Sequence, residues 1–435
     1  MKTHKFKIGI TLCLIGIFIS CSLISTAGIN SFLKQKKEIS SKDTSFISIK
    51  GKIVDNETNE PLIFANVYLM GTNIATVSNS DGNFVLKVPL EKKDSKIEFS
   101  YIGYKNKSLA ISKFSQKRNL IRLEVSPITL SKIPIRPEYP LQPEDLLKKA
   151  VAKISKNYSV KPNLLTGFYR ETVKKNRHYV AVSEGVVEIY KSPYNRLSSN
   201  FIKLIRGRKS KDVKRMDTVN FKIQGGPYST LSIDVVNNPE ILFPHDFSKI
   251  FNYKFLNIVK VNERVNYVIA FDQIPIDNGP VYSGKIYLDV ETLAFSAIEF
   301  NINPVYINRA TSLMVKRKPF SMRVSLQSAN YYVNYKENNG KWYLNYARGE
   351  VVFKCKWKKK LFRSKYTTMS ELAVTNRAED AVKFNRKEVL PSRSVFVEKV
   401  SYFKPDSYWG EYNYIKPNES IESAVRKLNR KFKKN

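Results

Sequence analysis

Catalysis by a protein needs side chains that can hold a metal, carry a proton or attack a bond, and this chain has few at useful spacing. Its 435 residues include three histidines, His4, His178 and His245, and three cysteines, Cys13, Cys21 and Cys355. A catalytic zinc takes three protein ligands, commonly two histidines or a His and a Glu at short spacing. His4 falls in the apolar leader described below, and the other two histidines stand 67 positions apart (245 minus 178). No H-x-x-E, H-E-x-x-H or C-x-x-C occurs. His178, in NRHYVAV, opens an alternating apolar run and reads as a strand-edge residue; His245, in LFPHDF, reads as a loop residue. Cys355 alternates with Val351, Phe353 and Trp357 and reads as a buried strand residue. A nucleophilic thiolate would want a histidine or a helix N-terminus nearby, and no such feature is visible. The Asp and Glu residues are scattered, so no acid pair for glycoside hydrolysis can be picked out, the separation being a three-dimensional quantity. Neither a G-x-S-x-G elbow nor a Walker-type phosphate loop is present. No cofactor, metal or catalytic residue is therefore assigned.

Positive charge is what the chain has in excess: 74 Lys and Arg against 38 Asp and Glu, a formal net charge of +36. A leader with three lysines and no acid accounts for little of it, leaving +33 (36 minus 3). Lys203 to Arg215 holds seven basic residues and one acid. Lys354, Lys356 and Lys358 alternate with Phe353, Cys355 and Trp357, so a strand would set three ammonium groups on one wet face. Lys316-Arg317-Lys318 and the final RKLNRKFKKN add two more clusters. Such fields favour anionic partners. The candidate anion-binding set is Lys203, Arg206, Arg208, Lys209, Lys354, Lys356 and Lys358, with lipopolysaccharide phosphates, acidic glycans, anionic lipid or extracellular nucleic acid as partners. A merely solvated basic surface is the plain alternative. Base-specific nucleic-acid binding lacks any helical or RNA-binding motif. Aromatic clusters such as Tyr331-Tyr332-Tyr335 and Trp409-Tyr412-Tyr414 suit sugar stacking, and suit cross-strand packing better.

The elements that must position these groups begin with an export-type leader. Lys2, Lys5 and Lys7 precede an uncharged apolar run from Ile8 to Ile24. Three endings compete. Ser25-Thr26-Ala27 suits cleavage before Gly28; Phe18-Ile19-Ser20-Cys21 is a loose lipobox that would lipidate Cys21; and the run nearly reaches the ~20 residues that span a bilayer. Each places the body outside the cytoplasm, in the periplasm, at the outer membrane or at the cell surface, with membrane association through the N-terminus. Cys355 is then the single cysteine of the body, so stability comes from the core and not from an internal disulfide.

After a linker over 28–45, residues 46–127 alternate strictly. Ile47, Ile49 and Ile53 oppose Ser48, Lys50 and Lys52; Ala65, Val67 and Leu69 oppose Asn66 and Tyr68; Phe84, Leu86 and Val88 oppose Val85 and Lys87; Ile97, Phe99 and Tyr101 oppose Glu98 and Ser100. Period two with one dry face means strands, and Asp81-Gly82 supplies a turn needing positive φ. With Leu109, Ile111, Ile121, Leu123 and Val125 the set reaches about seven strands, which suits a small antiparallel sandwich. Gly51, Val54-Asp55, Pro61-Leu62, Ala65-Asn66-Val67, Gly71-Thr72, Asp81-Gly82-x-Phe84 and Tyr101-Ile102-Gly103-Tyr104 resemble the carboxypeptidase-like regulatory domain. The resemblance implies a transthyretin-like seven-stranded β-sandwich, common at the N-terminus of outer-membrane nutrient transporters and surface proteins of the Bacteroidota. That domain accompanies some zinc carboxypeptidases without being their catalytic part.

A proline-rich linker over 128–142 separates the sandwich from a β-rich domain over 143–435. Pro143-Glu144-Asp145 opens a helix whose stripe is Leu146, Leu147, Ala150, Val151 and Ile154. From Gly167 to about Val374 long strands follow one another, with Asn339-Gly340 as a hairpin signal, predicting a large curved antiparallel sheet with a few flanking helices. GKIYLDVETLAFSAIEF is similar to the strand-turn-strand of periplasmic lipoprotein carriers, whose half-barrel holds an acyl chain. PDSYWGEYNYIKPNESIESAVRKL resembles the end of a family of exported Bacteroidota proteins bearing the same sandwich, and its last part is a helix capped by Asn418 or Ser420. Members often continue into an outer-membrane barrel, for which this chain leaves no length, so transport by it alone is not expected. The expectation is a mainly β, non-enzymatic exported envelope protein, its sandwich a docking module and its β-rich domain binding a partner protein, lipid or anionic glycan. Two alternatives stand: a surface-polymer hydrolase with dispersed carboxylates, and an accessory subunit of an outer-membrane transporter.

Overall fold

The computed structural model describes residues 16–20, 45–115, 119–127, 142–196, 199–211, 220–275, 279–358, 361–379, 381–402 and 404–432. The first strand is β1 (Gly16–Ser20), followed by β2 (Phe46–Asp55), β3 (Asn66–Leu69), β4 (Ala75–Val77), β5 (Asn83–Pro89), β6 (Lys96–Ser100), β7 (Lys107–Ala110) and β8 (Asn119–Leu123). β2 to β8 make the sandwich, one sheet ordered β5-β2-β8 and the other β4-β3-β6-β7. All pairs are antiparallel except β2 with β8. The residues that alternated in the sequence fill the space between the sheets: Ile49, Ile53, Val67, Phe84, Leu86, Ile97, Phe99 and Leu123 form one core. The turn before β5 is tied by the Asn79 side chain, whose Oδ1 accepts from the Asp81 and Asn83 backbone N–H groups at 2.9 Å each. Gly82 has φ +76°, and a Cβ there would lie 2.5 Å from the Ile53 carbonyl oxygen, so both conformation and space require glycine.

The second domain opens with α1 (Pro143–Ala152) and α2 (Ile154–Asn157). Proline and two acids occupy the first turn of α1, and Leu146, Leu147 and Ala150 are buried. Then come β9 (Asn163–Lys175), β10 (His178–Lys191), β11 (Phe201–Lys211), β12 (Asn220–Gln224), α3 (Pro227–Leu231), α4 (Phe247–Ile250), β13 (Phe251–Val261), β14 (Arg264–Gln273), β15 (Tyr282–Asp289), β16 (Phe295–Ile302), α5 (Thr311–Met314), β17 (Val315–Arg317), β18 (Met322–Asn338), β19 (Lys341–Trp357), β20 (Ser364–Ala378), α6 (Phe396–Lys399), β21 (Ser401–Tyr402) and α7 (Glu419–Phe432). Eleven strands form one sheet ordered β13-β14-β15-β16-β18-β19-β20-β9-β10-β11-β21, antiparallel throughout except for the short β11–β21 pair. Bulges interrupt the register in six of its pairs, and each one bends and twists the strand it interrupts. One face of this sheet meets α1, α2 and the segment around α3 and α4, giving a core that includes Leu147, Ile154, Tyr169, Ile189, Leu231, Val235, Phe243, Phe247, Ile298, Val333 and Phe353.

The opposite face carries the sandwich, with the segment 404–418 threaded between the two. Trp409, Tyr414 and Ile415 of this strap are buried with Phe168, Val186, Tyr346 and Ala373 of the sheet and Val77 and Val85 of the sandwich. Beyond it, Asn418 caps α7 by accepting from the Ile421 N–H at 2.7 Å, and the Asp81 carboxylate of the sandwich turn accepts from the Glu419 N–H at 2.9 Å. Ile421 and Val425 then pack on Tyr179 and Val182 of β10. β1, from the stretch read as leader, lies between β12 and β17, antiparallel to the first and parallel to the second. Cys21, the rest of the leader and most of the proline-rich linker lie outside the described residues. Among the described residues no helix is long and apolar enough to cross a membrane.

Candidate functional site: a charged row that ends in a cleft

The sandwich-facing side of the large sheet carries one row of side chains that the strand register sets in line. Arg208 lies opposite Glu184, Glu184 opposite Arg170, and Arg170 opposite Glu371. Glu371 lies opposite Arg348, Arg348 opposite Tyr332, Tyr332 opposite Glu299, and Glu299 opposite Lys285. The row thus crosses eight strands and alternates in sign, broken once by a tyrosine. Its first four members are buried under the strap and sandwich. Arg208 Nε donates to Glu184 at 2.6 Å, Arg170 Nε to Glu184 at 2.8 Å, and Arg170 Nη1 to Glu371 at 3.2 Å. Tyr346 donates its hydroxyl to Glu371 at 2.7 Å. Burial alone would raise the Glu184 carboxyl, but the Arg208 and Arg170 guanidinium groups outweigh it and hold the carboxyl below the usual carboxylate range. The arginines also fasten the strap: Arg170 donates to the Ile415 carbonyl, and Arg208 to the Lys404 carbonyl and, at 2.9 Å, the Asp406 carboxylate.

The far end of the row opens into a cavity of about 660 Å³ between sandwich and sheet. Phe64, Tyr101 and Ile102 come from the sandwich side; Tyr287, Glu299, Asn301, Asn330, Tyr332, Arg348 and Glu350 come from the sheet side. The volume is in the range of small-ligand sites. Its charges are internally matched. Arg348 pairs with Glu350 at 2.6 Å while its guanidinium lies 4.7 Å over the Phe64 ring, and Glu299 has Lys285 at 3.6 Å and accepts from the Tyr287 hydroxyl at 2.8 Å. Burial pushes the Tyr287 and Tyr332 phenols up, so both stay neutral and can donate. Asn345 donates to Asn66 and Asn334 at 2.9 Å each, joining roof to floor. The cleft therefore offers aromatic faces, amide donors and acceptors, and, among the described residues, no uncompensated charge.

Most of the sites expected from the sequence lie elsewhere. The described part of the first basic cluster is strand β11: Lys203 pairs with Glu388 at the surface at 2.9 Å, whereas Arg206 donates to the Tyr408 carbonyl at 2.6 Å and Lys209 to the Val397 carbonyl at 2.8 Å. Arg208 corrects the expectation of an anion-binding side chain, because it is fully buried against Glu184. Lys354 is half-buried, and Lys356 and Lys358 are exposed, all on β19 or just past it. Asp81 and Gly82 form the expected turn, and Asp81 in addition caps α7. His178 begins β10 and His245 is exposed beside Asp246 at 3.4 Å. Cys355 is buried, which pushes its thiol up to about 12. Among the described residues no group of three or more potential metal ligands is gathered. The sandwich, expected to act as a docking module, packs on the chain's own sheet through Val77 and Val85. Glu184, Arg170, Glu371 and Glu299 were not singled out in the sequence, since each is one charge in a different strand and only the pairing register aligns them.

Residues 49–133 match the CarboxypepD_reg-like domain, so the chain carries a carboxypeptidase-like regulatory sandwich, joined here to a large β-sheet domain. The TonB-dependent receptor SusC of Bacteroides thetaiotaomicron is 35% identical over 113 residues, 26% of this chain and 9% of the receptor; the chain spans less than a tenth of that relative. Among solved structures, lipovitellin is similar at a TM-score of 0.26 and 9% identity over 57% of this chain and 28% of its own. A DUF1329 family protein from Desulfovibrio piger has a TM-score of 0.24 and 8% identity over 56% of this chain and 96% of its own.

Proposed function

We propose that this chain is a non-enzymatic binding protein of the bacterial cell envelope, whose cleft between sandwich and sheet holds a neutral, ring-bearing polar ligand of the glycan class. The observation that carries the reading is the cleft itself: tyrosine and phenylalanine rings beside asparagine amides, with every charge already matched. Aromatic faces give sugars an apolar surface to stack on, and amides supply directional hydrogen bonds. The export-type leader and the similarity of part of the chain to a TonB-dependent receptor support an envelope setting beside transport. Calorimetric titration of the full chain with neutral and acidic oligosaccharides tests it. The expected result is binding of a neutral oligosaccharide, weakened about tenfold, or ~1.4 kcal/mol, by Tyr332→Ala, which removes an aromatic face from the cleft. Failure to bind any oligosaccharide overturns the reading. One observation favours a hydrolase instead, the presence of Glu299 and Glu350 in one cavity. Release of reducing ends that disappears in both Glu299→Gln and Glu350→Gln would establish that alternative.

A further inference from the structure

At the end of β18 and β19 remote from the Asn339–Gly340 turn, the protein exposes large apolar side chains that no other described residue covers. Phe320, just before β18, is 93% exposed; Leu361 and Phe362, between β19 and β20, are 86% and 82% exposed. Single exposed apolar residues are ordinary, but three on neighbouring loops are not. The two loops are neighbours because the Lys358 N–H donates to the Ser321 carbonyl at 2.9 Å, and the Lys358 ammonium lies 4.8 Å over the Phe320 ring. A strand rises about 3.3 Å per residue, so the 17-residue β18 carries this tip roughly 50 Å from the turn.

Behind the apolar tip the strands present cations that oppose one another. Arg323 lies directly opposite Lys356, and Lys354 directly opposite Lys365. Like charges directly across a ladder destabilise it. Among the described residues none of these four side chains has a carboxylate within ion-pair distance. The sequence sharpens the bias: between Glu350 and Glu371 stand seven Lys and Arg and no acid, and between Glu299 and Glu337 six and no acid.

We infer that this tip is a membrane-docking surface for an anionic lipid layer, with Phe320, Leu361 and Phe362 entering the headgroup region and the surrounding cations facing lipid phosphates. A soluble polyanion would satisfy the charges and leave the apolar tip in water; an anionic lipid surface satisfies both at once. The surface is separate from the cleft and does not depend on what the cleft binds.

The test reads the loop itself, so that any contribution of the apolar N-terminal run does not obscure it. Full-length Phe362→Trp is mixed with phosphatidylcholine vesicles with and without phosphatidylglycerol. The expected result is a blue shift, beyond that of the unsubstituted protein with its three tryptophans, quenched by brominated acyl chains, only when phosphatidylglycerol is present. Lys356→Gln with Lys365→Gln, which relieves both opposed pairs and so should not harm folding, should weaken that response about 25-fold, each basic residue at an anionic surface being worth about fivefold. No shift with the anionic vesicles overturns the inference. An equal shift with neutral vesicles, or one produced by inositol hexaphosphate without vesicles, overturns it equally, the latter making this a site for free polyanions.

Discussion

Arg170 is almost fully buried, yet its guanidinium meets Glu184, Glu371 and the Ile415 carbonyl. Charges are expensive to bury and more expensive to bury alone, so deleting one partner costs more than the pair contributes. Arg170→Met should destabilise the protein by about 3–5 kcal/mol, read as a lowered urea midpoint. Glu171, one residue on and facing the other side of the sheet, has no such cation among the described residues. It accepts from Tyr169 at 2.8 Å, and burial pushes its carboxyl up to about 8. A folded-state value above the unfolded one means that its contribution is fully present below about pH 4.5 and is lost as pH rises through about 8. Glu171→Gln should therefore be near neutral at pH 5 and stabilising, on the order of a few kcal/mol, at pH 9; equal effects at both pH values in denaturant titrations would contradict this. Neither residue was legible in the sequence. Arg170 and Glu171 sit in YRETV as ordinary surface-type residues, and nothing local says that both faces of β9 are covered.

Turns and short-range patterns were legible. Asp81-Gly82 and Asn339-Gly340 stand where expected, with φ of +76° at Gly82 and +52° and +74° at Asn339 and Gly340. Gly82→Val should lower stability by about 1–3 kcal/mol from backbone strain alone, and more once the Cβ meets the Ile53 carbonyl and Pro61. Because the same turn caps α7 through Asp81, the variant should also loosen that helix, seen as faster amide exchange over 419–425. β11 shows why other elements were missed. Lys203, Arg206, Arg208 and Lys209 made it read as an anion-binding strand, whereas the strap takes Arg206 and Arg208 inside, the Val397 carbonyl of α6 takes Lys209, and Lys203 pairs with Glu388. The cleft was half legible: Tyr332 was noticed as part of an aromatic cluster, but Tyr331 and Tyr335 beside it are buried on the other face of β18.

At the scale of the whole molecule, the two domains share a core. Besides the buried contacts of the strap, the Lys87 N–H donates to Asn413 at 2.7 Å, Asn73 donates to the Arg377 carbonyl at 2.9 Å, and the Gly103 N–H donates to the Lys260 carbonyl at 2.8 Å. Scanning calorimetry should accordingly show one transition for sandwich and sheet together, not two. The division into a sandwich and a β-rich domain could be read from alternation and the proline-rich stretch, but their union could not, because it is made by residues far apart in sequence, as Gly103 with Lys260, Asn66 with Asn345 and Lys87 with Asn413.

The strap also imposes an order of assembly. The sandwich core is complete once residues 49–123 have been made, yet the layer beneath it needs Trp409, Tyr414 and Ile415. During synthesis that layer therefore cannot close until nearly 300 residues beyond the sandwich have been added, and the strap takes its place between the two halves like a keystone set late in an arch.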